Sequence, residues 1–371
     1  MTATPVPFLS LQPGEDAADV RAAIERVLVS GWFILGPEVE AFEAEFARAS
    51  GAAHAVGVAN GTDAIALILR ALGIGHGDTV VTSPLSAAYS ALAVMMVGAR
   101  PLFADIDPVR LTLDPNAVEA AIDPRTKAIL PVHLYGQAAD LSALADVASR
   151  HGLALVEDCC QAHLATAGDR PVGTVGVAGA FSFYPTKNLA ALGDGGAVIT
   201  RDPALAGAIK RLRNGGQTGR YHHASFGVNS RLDEIQAAIL RARLPRLARW
   251  TARRRALAER YRQRLADAGV VVPPPIDPGH VYHLFVIRSG NRDALQEGLR
   301  VRDIETLIHY PVPIPRQPAL AGESPSACPQ ADRACAEVLS LPLYPALRES
   351  DLDHVAAAVC AVTRGQPECA R

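Results

Sequence analysis

Between residues 53 and 158 the chain alternates short apolar runs with amphipathic stretches, and this alternation restricts the architecture more than any other feature. Residues 53–58, 79–82, 100–104, 128–133 and 153–157 read as strands. Residues 63–72, 87–97, 115–121 and 141–150 read as the helices between them. Strands joined through helices run parallel, and strands that are apolar at nearly every position are buried on both faces. The pattern predicts an α/β chain whose mostly parallel sheet is covered by helices on both sides.

Two helices at 19–29 and 38–49 precede this region, the second opened by Pro37, where a missing N–H costs nothing. Between them, Ser30-Gly-Trp32-Phe-Ile-Leu-Gly-Pro37 reads as a loop with outward aromatics. Residues 232–265 form a long helical stretch dense in arginine. A polyanion site and a solvated face both fit such a run, and the formal net charge of −2 favours the face. Prolines 273–275 break it. A strand at 282–287, a helix at 292–300, a strand at 306–309, a proline-punctuated loop at 311–318 and a closing helix at 351–364 read as a smaller α+β domain. With 371 residues the chain is long enough for two cores, and the predicted division is 1–249 and 250–371, near Trp250.

A composition of 49% hydrophobic and 20% charged residues is that of a globular protein, without the basic surplus that nucleic acid would require. Met1-Thr-Ala-Thr-Pro5 lacks the charged-then-apolar order of a secretory leader. Apolar runs such as 87–97 fall short of the roughly 20 residues that span a bilayer. The six cysteines, Cys159, Cys160, Cys328, Cys335, Cys360 and Cys369, form no C-x-x-C pair. Reduced thiols, no metal site and a cytoplasmic location are the expectation.

Three features stand at the carboxyl ends of predicted strands, where open α/β sheets bind ligands. Asn60-Gly61-Thr62 turns from strand into helix, and its free N–H groups suit a phosphate, although Asn60 is also an ordinary N-cap. Glu157-Asp158-Cys-Cys-Gln161-Ala-His163 places carboxylates at the mouth of an apolar strand, which demands a cation or several donors, structural or functional. Phe181-Ser182-Phe-Tyr-Pro-Thr-Lys187 leads to a lysine on a turn after a buried strand. It is either a snorkelling side chain or an amine whose pKa burial lowers into nucleophilic range. An amine for a carbonyl, an anion cradle and a carboxylate able to keep a ring nitrogen protonated are together what pyridoxal 5′-phosphate chemistry requires.

With Pro131-Val-His-Leu-Tyr-Gly-Gln137, Gly193-Asp-Gly-Gly196, Asn229-Ser-Arg-Leu-Asp-Glu234 and His309-Tyr310-Pro311, these motifs occur in an order that resembles the DegT/DnrJ/EryC1/StrS family. The resemblance runs from about Phe8 to the C-terminal helix. It implies an aspartate aminotransferase type I fold, with the cofactor in a large domain built on a large mixed, mostly parallel sheet, and a homodimer with shared active sites. The implied activity is a pyridoxal-phosphate-dependent transaminase that converts a dTDP-linked keto-6-deoxysugar into the amino sugar. L-Glutamate is the implied donor, and C3 is favoured over C4. By the same resemblance Lys187 holds the cofactor covalently and moves the proton, and Asp158 bonds the pyridine nitrogen. Gln161 meets the ring oxygen, while Gly61, Thr62 and Ser182 hold the phosphate. Asn229 reaches the phosphate of the neighbouring subunit. Trp32, Tyr310 and the loop through Arg316 face the nucleotide sugar. His163 fits the motif and also fits a core histidine; His133 reads as core.

The sequence departs from the family in three places. Ser86-Ala87 stands where an aromatic commonly stacks on the cofactor ring, with Tyr89 nearby but off register. Pro313-Ile-Pro-Arg316-Gln317 replaces a histidine-containing motif, and its guanidinium would suit a diphosphate or carboxylate. Cys159-Cys160 replaces a pair of alanines. Two other readings follow: an aminotransferase or dehydratase for a free cyclitol or aminoshikimate-type ring, and a ligand-binding regulator on the same fold.

Overall fold

The structure, a computed structural model, describes residues 5–320 and 327–365. Met1 to Thr4 and Cys369, which enter the expectations above, lie outside the described residues. Seven strands form the large sheet: β1 (His54–Val58), β2 (Thr79–Thr82), β3 (Arg100–Phe103), β4 (Thr126–Leu130), β5 (Ala154–Asp158), β6 (Ala178–Ser182) and β7 (Gly196–Thr200). Their order is β1-β7-β6-β5-β4-β2-β3. Strand β7 runs antiparallel to both neighbours, and every other pairing is parallel. The sheet is mostly parallel, as the alternation predicts, and the antiparallel β7 makes it mixed, as the resemblance implies.

The apolar runs are continuous because each face of the sheet has its own core. Ile129, Leu155, Ala197 and Ile199 pack with Phe42, Phe46, Phe181 and Phe183 on one side. Ala128, Leu130, Val156 and Val198 pack with Ile65, Ile68 and Val94 on the other. Successive residues of one strand thus enter opposite cores, the period-2 consequence of the pleat.

A further core joins Tyr261, Phe285, Leu299, Leu339 and Val359 with Val6 from the N-terminal segment. It contains β8 (Phe285–Arg288) paired antiparallel with β9 (Val338–Leu341). The third strand expected at 306–309 reduces to one bridge, Leu307 to Ser340. Pro311 and Pro313 follow at once and deny the ladder further donors. Strand β9 and the helix Pro329–Glu337 before it are elements that the sequence expectations do not include.

The long arginine-rich helix is two helices, Glu234–Arg243 and Leu247–Leu265, separated by a 3-10 turn, Leu244–Arg246. Pro245 has no N–H to continue the first. The expectation of a solvated arginine face holds for Arg249 and Arg264 and fails for Arg243 and Arg254, which are buried. Arg243 pairs with Asp16 at 2.7 Å and donates to the Ala190 carbonyl at 2.6 Å.

Candidate active site

Because β1, β5 and β6 run the same way, their carboxyl ends share one edge of the sheet. There Val58, Gly196 and Ser182 stand side by side across β1, β7 and β6, and Asp158 lies opposite Ala180. This register brings residues from four separate parts of the sequence to one edge of the sheet.

Gly61 opens the helix Gly61–Ala71, with Asn60 as its N-cap accepting from the Asp63 N–H at 2.8 Å. The capping reading of Asn60 is therefore correct, and it leaves the first N–H groups of the helix facing outward beside Ser182. A Cβ at Gly61 would stand 2.6 Å from Cys160 Sγ and 2.9 Å from Ser182 Cβ, so only glycine lets the helix start this close to β6. Thr62 is half-buried next to it.

Asp158 ends β5 and is buried. Its Oδ1 accepts from the Cys160 N–H at 3.0 Å and its Oδ2 from the Ser90 hydroxyl at 2.6 Å. Gln161 is buried too: its Oε1 accepts from the Tyr135 N–H at 2.8 Å, and its amide donates to the Tyr310 hydroxyl at 3.1 Å. One amide hydrogen of Gln161 stays available. Burial, with Asp158, Cys160 and Tyr89 nearby, pushes the Tyr310 phenol up to about 12, so it remains neutral.

Lys187 lies on the turn after β6, its N–H donating to Tyr184 O at 2.8 Å. Burial lowers the pKa of its amine, against the raising influence of Cys160 and Asp158. Surroundings that disfavour the charge support the buried-amine reading over the snorkelling one. The Cys160 thiol is driven well up, chiefly by burial and then by Asp158, and stays protonated.

Glu157, next to Asp158, is purely structural. It accepts from the N–H groups of Gly173, Val175 and Gly176 at 2.6–2.9 Å and faces His133 Nε2 at 3.0 Å. Since His133 Nδ1 accepts from the Ala139 N–H at 3.0 Å, the ring proton is on Nε2 and is donated to Glu157. His133, Glu157 and Cys159 have the atoms of a metal trio within 4.8 Å of one another, but these hydrogen bonds already occupy the first two. His163 donates from Nε2 to Ser182 O at 2.8 Å, and burial depresses its pKa to about 3. Its Nδ1 is buried without a partner among the described residues.

The remaining sequence candidates lie further out. Trp32 is exposed, its indole donating to Ile34 O at 2.8 Å; Asn229 is exposed as well. Arg316 is exposed and forms a two-pronged pair with Asp332, so binding a substrate anion there requires that pair to open. Ala87 is half-buried and Tyr89 largely exposed at the head of the helix Tyr89–Met96. Ser90 and Tyr135 hold the site together without any signal in the sequence. Ser90 and Tyr135 act through contacts with residues 68 and 26 positions away, for which no local pattern exists.

A partly buried amine of lowered pKa, a glycine-lined helix N-terminus and a buried carboxylate on one edge of a mostly parallel sheet define a pyridoxal-phosphate enzyme, and the residues fit the cofactor. The comparisons narrow the class. The profile of the DegT/DnrJ/EryC1/StrS aminotransferase family matches residues 15–360, and the chain belongs to that family. It is 51% identical to the erythromycin biosynthesis sensory transduction protein EryC1 of Saccharopolyspora erythraea, over 95% of this chain and 98% of that one. It is 49% identical to the dTDP-3-amino-3,4,6-trideoxy-alpha-D-glucose transaminase of Streptomyces venezuelae, over 95% of both chains. Among solved structures, S. venezuelae DesV superposes with a TM-score of 0.95 at 48% identity, over 97% of this chain and 99% of that one.

Proposed function

We propose that this protein transfers the amino group of L-glutamate to C3 of a keto-6-deoxyhexose carried on dTDP. Relatives at 49% and 46% identity, named as dTDP-3-amino-3,4,6-trideoxy-alpha-D-glucose transaminases, support the substrate class. The observation that carries the chemistry is the Lys187 amine, held at lowered pKa on the sheet edge that also presents Asp158 and Gly61.

Pyridoxal phosphate, when bound, supplies an aldehyde carbon for amines and a ring that accepts an electron pair while its nitrogen stays protonated. Asp158, oriented by Ser90 and the Cys160 N–H, holds that proton on the nitrogen. Gly61, Thr62 and Ser182 cradle the phosphate with N–H groups and a hydroxyl. Gln161, fixed by Tyr135 and Tyr310, turns its free N–H to the ring oxygen. Lys187 moves the proton at the reacting carbon, a task for which a neutral amine is needed. Trp32 and Tyr310 border the nucleotide sugar in this reading, and Arg316 joins them on release from Asp332.

The protein is a cytoplasmic homodimer in this proposal, with Asn229 reaching the partner's phosphate. Exposed Trp32, Phe33, Tyr184 and Phe226 supply apolar surface for such an interface, and Cys159, Cys160, Cys335 and Cys360 are free thiols. Among the described residues no helix is long and apolar enough to cross a membrane. We place the division between the large cofactor domain and the small domain at 249/250, within the helix Leu247–Leu265.

The test is the reverse reaction: dTDP-3-amino and dTDP-4-amino sugars, a free amino-cyclitol and 2-oxoglutarate offered to the purified holoenzyme. Consumption of the 3-amino sugar, lost in Lys187→Ala, is expected. Reaction with the cyclitol alone would move the substrate to a free ring. Ligand binding without any transfer would favour a regulator, a role that the name of EryC1 suggests for that relative.

A further inference from the structure

Arg254 is the one buried cation in the arginine-rich stretch to which no role has been given. It is 4% exposed, and its Nη1 donates to the carbonyls of Leu343 at 2.9 Å, Tyr282 at 3.2 Å and His283 at 3.4 Å. Carbonyl dipoles are its sole partners among the described residues. Its neighbours on the same cavity wall all have acids: Arg243 has Asp16, Arg249 has Glu15 and Arg253 has Glu349. A guanidinium taken out of water without a counter-ion is costly. Burial alone brings its pKa to about 10, so at neutral pH the charge remains.

Arg254 lines a cavity of about 510 Å³ shared with Lys187, Asn188, Trp250, Tyr344 and the N-terminal residues 9–12 and 14–16. No acceptor among the described residues takes the N–H groups of its Nε and Nη2, and neither nitrogen is fully enclosed. The guanidinium thus keeps an accessible donor edge in a residue that lines the cavity. Asp158, Gln161 and Ser182 are absent from this wall, so Lys187 is the residue common to the cavity and the cofactor cradle.

We propose that Arg254 is the anion anchor of a donor subsite in this cavity, taking a carboxylate of the amino acid whose nitrogen is delivered beside Lys187. The inference rests on the transamination reading above. The Nε/Nη2 edge presents two parallel N–H groups, which match the two oxygens of a carboxylate. A single uncompensated positive charge balances a single negative one, which suits a carboxylate better than a diphosphate. Closing that ion pair orients the donor and accounts for a buried arginine without an acid.

The experiment compares wild type, Arg254→Gln and Arg254→Lys. Glutarate binding to cofactor-free and cofactor-loaded protein is read by calorimetry, and the half-reactions with L-glutamate and with a dTDP-amino sugar are read separately. For Arg254→Gln, glutarate affinity and half-saturation by L-glutamate are expected to weaken on the order of 30-fold. The amino-sugar half-reaction should keep its KM, and Arg254→Lys should recover part of the loss. A folded Arg254→Gln with unchanged glutarate and L-glutamate binding overturns the subsite, even if its melting temperature has dropped. So does competition of dTDP with glutarate in the wild type, which would give the cavity to the nucleotide. If Arg254→Gln does not fold, a crystal structure of the wild-type holoenzyme with glutarate decides, by whether a carboxylate lies within hydrogen-bonding distance of Nε and Nη2 or elsewhere. A wild type that takes nitrogen from no amino acid refutes the proposed function itself; one that does so while Arg254→Gln matches it refutes only the subsite.

Discussion

The Ser90 hydroxyl donates a 2.6 Å hydrogen bond to Asp158 Oδ2, tying the second residue of the helix Tyr89–Met96 to the end of β5. Both residues are buried, so water cannot replace the bond. Ser90 fixes the carboxylate plane, and Asp158 can then present a lone pair to a ring nitrogen in one orientation. Ser90→Ala is expected to weaken cofactor affinity and kcat about tenfold each, in the range of a charge-assisted hydrogen bond of roughly 1.5–3 kcal/mol. Ser90→Thr retains the hydroxyl and should restore most of both. Cofactor titration of the apoprotein and steady-state rates for the three proteins check it.

Glu157 joins β5 to the 173–176 turn through three backbone N–H groups and to His133. Glu157→Gln turns two acceptor oxygens into one, setting an amide NH2 against backbone donors. A loss of about 3 kcal/mol in unfolding free energy is expected, because buried donors are left without partners. Denaturant titration measures it; a loss below about 1 kcal/mol would contradict the assignment.

Gly61→Ala places a methyl against Cys160 Sγ and Ser182 Cβ. Lower melting temperature and lower cofactor affinity are expected together, since the same helix start forms the proposed phosphate cradle. Adding Cys160→Ala removes the nearer clash and leaves the Ser182 one, so the double variant should recover in part. Calorimetric melting with and without cofactor separates the two effects.

Burial depresses His163 and His280 to about 3 and His309 to about 4. In the unfolded chain each takes up a proton near pH 6.5, so between that pH and the folded values the unfolded state binds more protons. Stability from these groups is complete above pH 6.5 and is lost as pH falls toward 4 and then 3. His163→Phe should reduce the steepness of this acid loss below pH 6.5, whatever its effect on stability at pH 8. Unfolding free energies at half-unit pH steps show whether the slope changes.

Where hydrophobic periodicity is strong, the sequence was enough. Strand β2 and the helices Pro115–Ala121 and Arg292–Arg300 lie where the pattern put them, because burial on two faces leaves a local imprint. The strand at 306–309 and the unbroken helix at 232–265 misled, since Pro245 and the prolines after Tyr310 act on backbone donors that periodicity does not register. The arginines show the same limit: ten similar residues on one stretch look equally solvated until packing buries Arg254 beside three carbonyls.

The sequence by itself determined the chemistry on offer: an amine at Lys187, carboxylates at 157 and 158, a glycine after Asn60, each at the end of an apolar run. Tertiary structure decided which of these groups meet and which carboxylate is occupied. Strand register set Val58, Gly196 and Ser182 in a row; backbone donors claimed Glu157, and Asp158 was left with one hydroxyl and one N–H. The reason is physical: residue type fixes what a group can donate or accept, whereas its partner depends on distances between segments far apart along the chain, set only when the sheet closes.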